Sequence, residues 1–550
     1  MKKEFYLKPK LFSVLKNYSL AQFGKDVVAG IIVAIIALPL SIALAIASNV
    51  PPINGVYTAV AAGFVVSLFG GSRIQIAGPT AAFATIVAGI VTTHGMDGLF
   101  LATLLAGVML ILMGVFKLGR LIKFIPYTIT VGFTSGIAVT ILVGQIKDFL
   151  GLSYTGTYVE TFEKLMANIH HIHTFSWQAF VVGIVCLAVL ILWPKFEKRV
   201  PPSLIAVFVG VAMVLLIPGF SDNVKTIADL GKIEGGLPKT NLAGMDFSIA
   251  KITAVLPSAF TIAILAAIES LLSCVVADSM VHSRHNSNTE LVAQGLGNIA
   301  SVLFGGIPAT GAIARTAANA KNGGRTPVAG MVHALVLLLV VLFLMPYANY
   351  IPMPTIAAIL IMVAYNMSEW KKFVRLVKTA PKSDIAVLLV TFVLTVVFDL
   401  VIAIEVGMVL AALLFIKRMS EESFVSNWTY VDSVNDKDSL DLKIVPKKVR
   451  VYEVSGPMFF GAAERILEIS FKEYTECLIL RMRAVPSLDA TAMNSLEQLL
   501  SQCRKRGVRL ILSHVNPQPL EVMKKSGFYQ RVGADNFCAH IDDALQLAQK

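Results

Sequence analysis

Charged residues are scarce in this chain. Only 15% of its 550 residues are Asp, Glu, Lys or Arg, whereas 56% are hydrophobic. A soluble protein of this length does not carry so little charge, and its repeated apolar runs of about 20 residues are typical of transmembrane helices. The net charge of +12 is expected to set membrane topology. No basic motif with interleaved aromatic residues occurs, so we expect no nucleic-acid partner.

Motifs for several kinds of chemistry are also missing. The five cysteines form no C-x-x-C pair, and the one histidine cluster (residues 170–173) has no acidic motif beside it, so we expect no metal site. No GxxxxGK[ST] loop occurs, which argues against ATP-driven transport. No nucleophile–base pair stands out, so we do not expect an enzyme. The only cofactor we expect is a coupling ion, H⁺ or Na⁺.

The apolar runs predict a polytopic α-helical membrane protein with a soluble domain at its end. We assign residues 1–25 to a basic N-terminal arm, 26–418 to the transmembrane domain, 419–439 to a linker and 440–550 to the soluble domain. Fourteen spans divide into two halves of seven, residues 26–218 and 253–416, and each half is interrupted in its third span. This symmetry is typical of an inverted repeat.

Loop charge predicts the orientation. Short loops rich in Lys and Arg alternate with short loops that contain neither, and basic loops usually face the cytoplasm. The N-terminus and the soluble domain are therefore expected inside the cell, and the protein in the inner (plasma) membrane. No cleavable signal peptide pattern precedes the first span, which we expect to stay in the membrane.

Two stretches interrupt the apolar sequence at corresponding positions, GPTAAF (78–83) and GGIPATGAIART (305–316). Each combines Gly and Pro with a following helix-length run, and Pro fits a helix start because the N–H it lacks would be unpaired there. Free N–H groups and a partial positive charge at such a start suit an anion. Arg315, which we place about two turns into the second helix, adds a full charge. Paired interruptions of this kind point to a transporter's binding site.

The soluble segment alternates strands with helices. We predict strands over 449–454, 477–482 and 508–513, a helix over 460–470, and a helix capped by Asp489 that reaches Lys505. This order is typical of a small α/β domain.

These features together resemble the sulfate-permease family, also called solute carrier 26, over essentially the whole chain. The soluble segment resembles the STAS domain that such carriers bear. The blocks that carry the resemblance are GGSR (70–73) with GPT (78–80), ELVAQGLGNI (290–299), FGGIP (304–308) with Arg315, and GGRT (323–326).

Within the family, the chain resembles the bacterial C4-dicarboxylate carriers most closely. The blocks are PL (39–40), QIKDFL (145–150), AIESLL (267–272) and NMSE (366–369). Many sulfate carriers have Gln after the first-span proline, where this chain has the apolar Leu40. The expected pocket wall therefore lacks one polar group.

The resemblance implies a core domain and a gate domain, with the half-helices of the third and tenth spans facing each other across the substrate. It also implies elevator-type movement of the core and a homodimer in the lipid bilayer. The proposed anion contacts are two hydroxyls, backbone N–H groups and a guanidinium, walled by Pro39 and Phe83. These contact residues are Thr80, Ala81, Ala82, Thr310, Gly311, Ala312 and Arg315.

Further polar residues surround this expected site. Glu269 is an acid in an apolar span, where burial favours its protonated form, and we interpret it as the proton-coupling residue. A static Glu269–Arg315 ion pair is the alternative, and a sodium site using Ser270, Ser273 and Thr310 is another. Three polar residues at four-residue spacing are interpreted as scaffold, namely Glu290, Gln294 and Asn298.

In the STAS-like domain, Asp489-Ala490-Thr491 falls where regulatory relatives carry a phosphorylated hydroxyl. Thr491 is therefore a candidate phosphosite, and helix capping with a passive Thr is the alternative.

We expect a secondary active anion transporter, and the leading hypothesis is proton-coupled uptake of a C4-dicarboxylate. Sulfate or bicarbonate transport coupled to protons or sodium is the alternative. An anion channel or a signalling protein would also fit the resemblance.

Overall fold

The computed structural model describes residues 7–119, 126–154, 158, 160–197, 200–230, 233, 235–237, 247–398, 400–427 and 445–550. Parts of the predicted arm (1–6), linker (428–439) and soluble domain (440–444) lie outside the described residues. Internal contacts divide the chain into two compact units, Met1–Met408 and Val409–Lys550.

The first half of the membrane unit is almost entirely helical. Its elements are α1 (Lys10–Val14), α2 (Leu20–Ala47), α3 (Pro52–Phe69), β1 (Ala77–Gly78), α4 (Ala81–Val115), α5 (Tyr127–Leu150), α6 (Thr161–His170), α7 (Trp177–Phe196) and α8 (Pro202–Leu216).

The second half follows the same pattern. Its elements are α9 (Ile249–Val281), α10 (Ser287–Leu303), β2 (Thr310–Gly311), α11 (Ile313–Lys321), α12 (Val328–Phe343), α13 (Met353–Ser368), α14 (Trp370–Thr379), α15 (Lys382–Val397) and α16 (Leu400–Glu422). Helix α16 begins in the first unit and continues into the second.

Local sequence explains many of these boundaries. Ser19 and Asn286 cap α2 and α10 by accepting hydrogen bonds from backbone N–H groups in the first turn. Gly151 ends α5 in the left-handed conformation, which glycine adopts without strain. Within α4, Gly95 has φ 70° and ψ −176°, so this element consists of two helices joined at a break. The break separates the predicted third and fourth spans.

The helices pack in two groups. The first group contains α2, α3, α4, α9, α10, α11 and α12, and the second contains α5, α7, α8, α13 and α15. Among the described residues, six helices are long and apolar enough to cross a membrane, and helices lie at every position predicted for a span. The polytopic helical fold is therefore confirmed.

The interrupted stretches differ from expectation at one point. Residues 77–78 pair with 310–311 as two short antiparallel strands, Ala77 opposite Gly311 and Gly78 opposite Thr310. The second helix consequently begins only at Ile313, and Arg315 lies in its first turn rather than two turns in. The prediction of helix from Pro308 onward was wrong because these backbone groups pair with a strand from the other half of the chain.

The C-terminal unit contains a five-stranded sheet. Its elements are β3 (Phe424–Asn427), β4 (Val449–Ser455), β5 (Cys477–Ala484), α17 (Ala490–Lys505), β6 (Arg509–Ser513), α18 (Pro517–Lys525), α19 (Phe528–Val532), β7 (Phe537–Cys538) and α20 (Ile541–Leu547). The strand order is β3-β4-β5-β6-β7, with β3 antiparallel to β4 and the other neighbours parallel.

Apolar residues cover both faces of this sheet. Leu496 and Leu499 of α17 belong to the core on one face, and Ile541 and Leu545 of α20 belong to the core on the other. The predicted α/β domain is confirmed, and Asp489 caps α17 by accepting from the N–H of Ala492.

Two sequence-based boundaries in this unit were wrong. Residues 424–427 form the edge strand β3 rather than linker, because their backbone pairs with β4. The helix predicted over 460–470 is a short 3₁₀ segment over Ala463–Glu468.

Candidate functional site

Two helix N-termini meet at the crossing of β1 and β2. Helix α4 begins directly after β1, and α11 begins directly after β2. Neither N-cap residue, Thr80 or Ala312, caps its helix with a side-chain hydrogen bond. The first N–H groups of an α-helix have no partner within the helix. The amides of Ala81 and Ala82 at the start of α4 are therefore suited to an anion.

The hydroxyl of Thr80 turns towards α9 instead of capping α4. Its Oγ1 donates a hydrogen bond of 2.8 Å to Oε2 of Glu269. Glu269 lies in the middle of α9 and is only 8% exposed. A carboxyl group and the first turn of α4 are thus joined by one hydrogen bond, and this contact links the candidate coupling residue to a candidate anion-binding residue.

Arg315 lies in the first turn of α11 and is 2% exposed. Its Nη2 donates a hydrogen bond to the carbonyl oxygen of Pro79, just before α4 begins. Its Nη1 is buried and has no hydrogen-bond partner. Among the described residues, Arg315 and Glu269 form no ion pair, so the static pair considered as an alternative is absent from this conformation.

Gly78 leaves room for this guanidinium. A Cβ atom at Gly78 would collide with Nη1 of Arg315 and would also approach the Cα atom of Ala59 on α3. The absence of a side chain at this position therefore permits Nη1 to lie directly beside β1.

One face of α9 supports the crossing. The carbonyl oxygen of Ala266 accepts hydrogen bonds from Oγ1 of Thr310, at 3.0 Å, and from Oγ of Ser270, at 2.6 Å. One turn further on, Oγ of Ser273 donates to Oγ1 of Thr316 at 3.4 Å. The hydroxyl protons of these residues are therefore directed at protein oxygens in this conformation.

The predicted backbone contacts are not equivalent. The N–H of Ala312 donates to the carbonyl oxygen of Ile76 at 2.8 Å, so it is already engaged. Gly311 packs so closely against Gln75 and Ser270 that a Cβ atom would not fit. Pro39 and Phe83, the expected apolar wall, are both buried.

The three residues predicted as scaffold hold the loops around the site in place through hydrogen bonds. The carboxylate of Glu290 accepts from the backbone N–H groups of Gly71 and Ser72 and from Nε2 of Gln75 and Gln294. These four bonds span 2.8–3.2 Å and satisfy a fully buried charge, which would otherwise be costly.

Asn298 holds the segment before β2. Its Nδ2 donates to the carbonyl oxygen of Ala309, and its Oδ1 accepts from the N–H of the same residue, each at 2.9 Å. On the other side, Oγ1 of Thr58 on α3 accepts from the N–H of Ile307 at 2.7 Å. These contacts fix the extended segment that leads into α11.

Sequence reasoning missed two residues near the site. Gln75 precedes β1 and links Glu290 to the sulfur of Cys274, whose thiol donates to Oε1 of Gln75. His333 on α12 is fully buried, and neither of its ring nitrogens has a hydrogen-bond partner. Each of these two polar residues lies within an apolar run of the sequence, and this position could have indicated a role near the site.

In the C-terminal unit, Thr491 is exposed in the first turn of α17, two residues after the capping Asp489. Asp489 also accepts from the N–H of Phe460 through its second carboxylate oxygen. This geometry fits the capping alternative and leaves the Thr491 hydroxyl accessible.

Residues 23–391 match the model of the "Sulfate permease family", and residues 442–544 match that of the "STAS domain". A Bacillus subtilis protein named "Putative sulfate transporter YvdB" is 40% identical, with 96% of this chain and 98% of that protein covered. The "Bicarbonate transporter BicA" of Picosynechococcus is 31% identical, with 95% and 94% covered.

Solved structures show the same fold. The structure of murine Slc26a9, titled an "anion transporter in the inward-facing state", matches with a TM-score of 0.88 at 19% identity and covers 99% of this chain and 94% of that one. The transmembrane domain of a cyanobacterial BicA matches with a TM-score of 0.61 at 28% identity, covering 72% and 98%.

Proposed function

The chain belongs to the sulfate permease family and is an anion transporter rather than an enzyme, and from this premise we propose that it takes up a small inorganic oxyanion, sulfate or bicarbonate, driven by a coupled proton. Full-length relatives are named for these two anions. The C4-dicarboxylate favoured by the sequence remains a prediction without support from the relatives described above.

The observation that carries the proposal is the unpartnered Nη1 of Arg315, buried between two helix starts. A buried N–H group on a cation is costly without a partner. An oxyanion would accept from Nη1 and from the free amides of Ala81 and Ala82, and such charge-assisted bonds are among the strongest hydrogen bonds in proteins. The anion therefore replaces the missing partner.

The protonation state of Glu269 sets the charge that the site offers. Arg315 contributes one positive charge and the two helix starts contribute about half a charge each. With Glu269 protonated, the site balances a divalent anion such as sulfate. With Glu269 ionised, the net positive charge of the site falls by one, so a proton on Glu269 strengthens the attraction for sulfate and for bicarbonate alike.

The hydroxyl of Thr80 connects protonation of Glu269 to anion binding. An ionised Glu269 can only accept, so it holds the proton of the Thr80 hydroxyl in the observed 2.8 Å bond. Once Glu269 is protonated, the Thr80 hydroxyl becomes free to donate to an anion at the start of α4. Protonation thus strengthens anion binding, and by linkage anion binding strengthens protonation. The two substrates are taken up together.

The test is uptake into liposomes that contain the purified protein. Labelled sulfate, bicarbonate and succinate are offered separately, with an inside-alkaline pH gradient or with an inward sodium gradient. We expect sulfate or bicarbonate to accumulate under the pH gradient above the level in protein-free liposomes, where CO2 that crosses the bilayer is trapped as bicarbonate in the alkaline interior. We expect Glu269→Gln to exchange anion without accumulating it above that level. Glu405→Gln serves as a control because it removes an exposed acid from α16, away from the site.

Three outcomes would overturn parts of this proposal. Accumulation of succinate alone would restore the dicarboxylate hypothesis. Accumulation driven by sodium alone would assign the carboxylate of Glu269 and the hydroxyls of Ser270 and Ser273 to a cation site. An anion flux that depends on neither the pH gradient nor the sodium gradient, at a rate far above the turnover of a carrier, would identify a channel.

The same family membership supports three structural proposals. We place the protein in the cell membrane as a homodimer, with its N-terminus and STAS domain in the cytoplasm. The first packing group of helices moves against the second during transport, in the manner of an elevator. The STAS domain modulates the carrier, with Thr491 as an accessible hydroxyl for phosphorylation.

A further inference from the structure

Helix α14 connects α13 to α15 and cannot cross a membrane. Its ten residues, WKKFVRLVKT, extend over about 15 Å, half of the hydrocarbon thickness of a bilayer. Glu369, immediately before it, adopts the left-handed conformation with φ 42°, which turns the chain sharply after α13. The helix therefore lies at one end of the membrane-spanning bundle.

The side chains of α14 divide into three arcs around the helix axis. At 100° per residue, Phe373 and Leu376 share the first arc. Both are half-buried, and the ring of Phe373 packs on that of Phe392 of α15, with centroids 5.2 Å apart. This arc attaches the helix to its own membrane unit.

The second arc is apolar and exposed. It consists of Trp370, Val374 and Val377, which are 48%, 40% and 36% exposed. Trp at the end of a membrane-spanning bundle is typical of the interface between acyl chains and headgroups. An apolar arc at this depth suits the outer part of the acyl chains.

The third arc is basic. Lys371, Arg375 and Lys378 lie side by side and are exposed, and within the described part of the chain none of them forms an ion pair. Lys372 lies outside this arc and is paired with Glu369 at 2.7 Å. The only acid in the turn before α14 is thus already neutralised, and the basic arc keeps three uncompensated charges.

We propose that α14 is an interfacial helix that binds anionic phospholipid headgroups through Lys371, Arg375 and Lys378, while Trp370, Val374 and Val377 insert among the acyl chains. An apolar arc beside a basic arc is the arrangement that seats a helix in the plane of a bilayer surface. Each basic side chain near an anionic surface adds to the attraction. The lipid class is therefore a phospholipid with net negative charge, such as phosphatidylglycerol.

Quenching of Trp370 fluorescence by brominated lipids tests this proposal. The full-length protein is reconstituted into vesicles with equal amounts of phosphatidylglycerol and phosphatidylcholine, and the bromine is carried by the chains of one lipid or of the other. The headgroup composition never changes. The signal of Trp370 is obtained as the difference between the wild type and Trp370→Phe, because the chain has four tryptophans.

We expect brominated phosphatidylglycerol to quench Trp370 at least about twofold more than brominated phosphatidylcholine, as three basic neighbours enrich the anionic lipid locally. The ratio should fall to about one in the triple variant Lys371→Gln, Arg375→Gln, Lys378→Gln, and at high salt. Arg375→Gln alone should give an intermediate ratio, which keeps the test valid if the triple variant does not reconstitute.

A matched control removes three exposed basic residues from the C-terminal unit, with the substitutions Lys505→Gln, Lys524→Gln and Lys525→Gln. It lowers the net charge equally and should keep the wild-type ratio. A wild-type ratio of about one would overturn the proposal. Failure of both brominated lipids to quench Trp370 would also overturn it, because the helix would then be covered by protein, either another part of this chain or a second copy.

Discussion

Replacing Arg315 with Met removes the positive charge of the candidate site and keeps much of the apolar stem. In the structure, Nη2 binds the Pro79 carbonyl while Nη1 has no partner. The variant therefore loses one protein hydrogen bond and the whole interaction between Nη1 and the anion. We expect Arg315→Met to weaken anion binding without unfolding the protein.

The expected magnitude follows from the kind of bond that is lost. A hydrogen bond to a charged group contributes about 1.5–3 kcal/mol, which corresponds to roughly 10- to 150-fold in Kd. Stability should change less, because the substitution also removes a cation that is 2% exposed and whose burial is unfavourable. Loss of the Pro79 bond partly offsets that gain.

The assay is binding of labelled sulfate and bicarbonate to the purified protein, with thermal unfolding measured on the same samples. Arg325→Met is the matched control, because the guanidinium of Arg325 binds the carbonyl oxygens of Ala320 and Gly324 outside the site. It should retain wild-type affinity. If Arg315→Met folds normally and binds both anions with unchanged Kd, Arg315 does not contact the substrate.

Three further predictions concern geometry and stability. Gly78→Ala should lower anion affinity, because its Cβ atom displaces the flexible end of Arg315; unchanged affinity would show that Nη1 need not lie there. Glu290→Gln should lower the melting temperature, since the NH2 group that replaces one carboxylate oxygen would face two of the four donors, at a cost of about 1–3 kcal/mol; an unaltered transition would contradict this. A fragment covering 420–550 should unfold at higher temperature than one covering 440–550, because only the longer one contains β3; equal midpoints would argue that β3 adds no stability.

Much of the fold was accessible from the sequence because membrane helices are encoded locally. Apolar runs of sufficient length located the helices, and the duplicated Gly-Pro signal located both interruptions. Asp489 was predicted as an N-cap from its position before a periodic segment, and the structure confirms it. Each of these features depends on residues that are neighbours in sequence.

The details of the site depended on partners that are distant in sequence. Residues 310–311 form a strand only because residues 77–78 lie beside them. The start of α11 could therefore not be predicted from the neighbouring residues alone. The hydrogen bond between Thr80 and Glu269 likewise joins residues that are far apart in the sequence. Strand β3 was missed because four residues carry too little pattern to indicate a strand, and its partner lies beyond the predicted linker.

The pairing of β1 with β2 has a consequence for how the protein is made. Pro79 and Arg315 are separated by 236 positions, and Thr80 and Glu269 by 189. At roughly 5–20 residues per second, the ribosome needs on the order of ten to fifty seconds to synthesise the intervening chain. Throughout that time the backbone groups of Ala77 and Gly78 lack their strand partner. Variants in either strand should therefore be screened first for rapid degradation during synthesis, since a poorly assembled carrier and a weakly binding one would both show low uptake in cells.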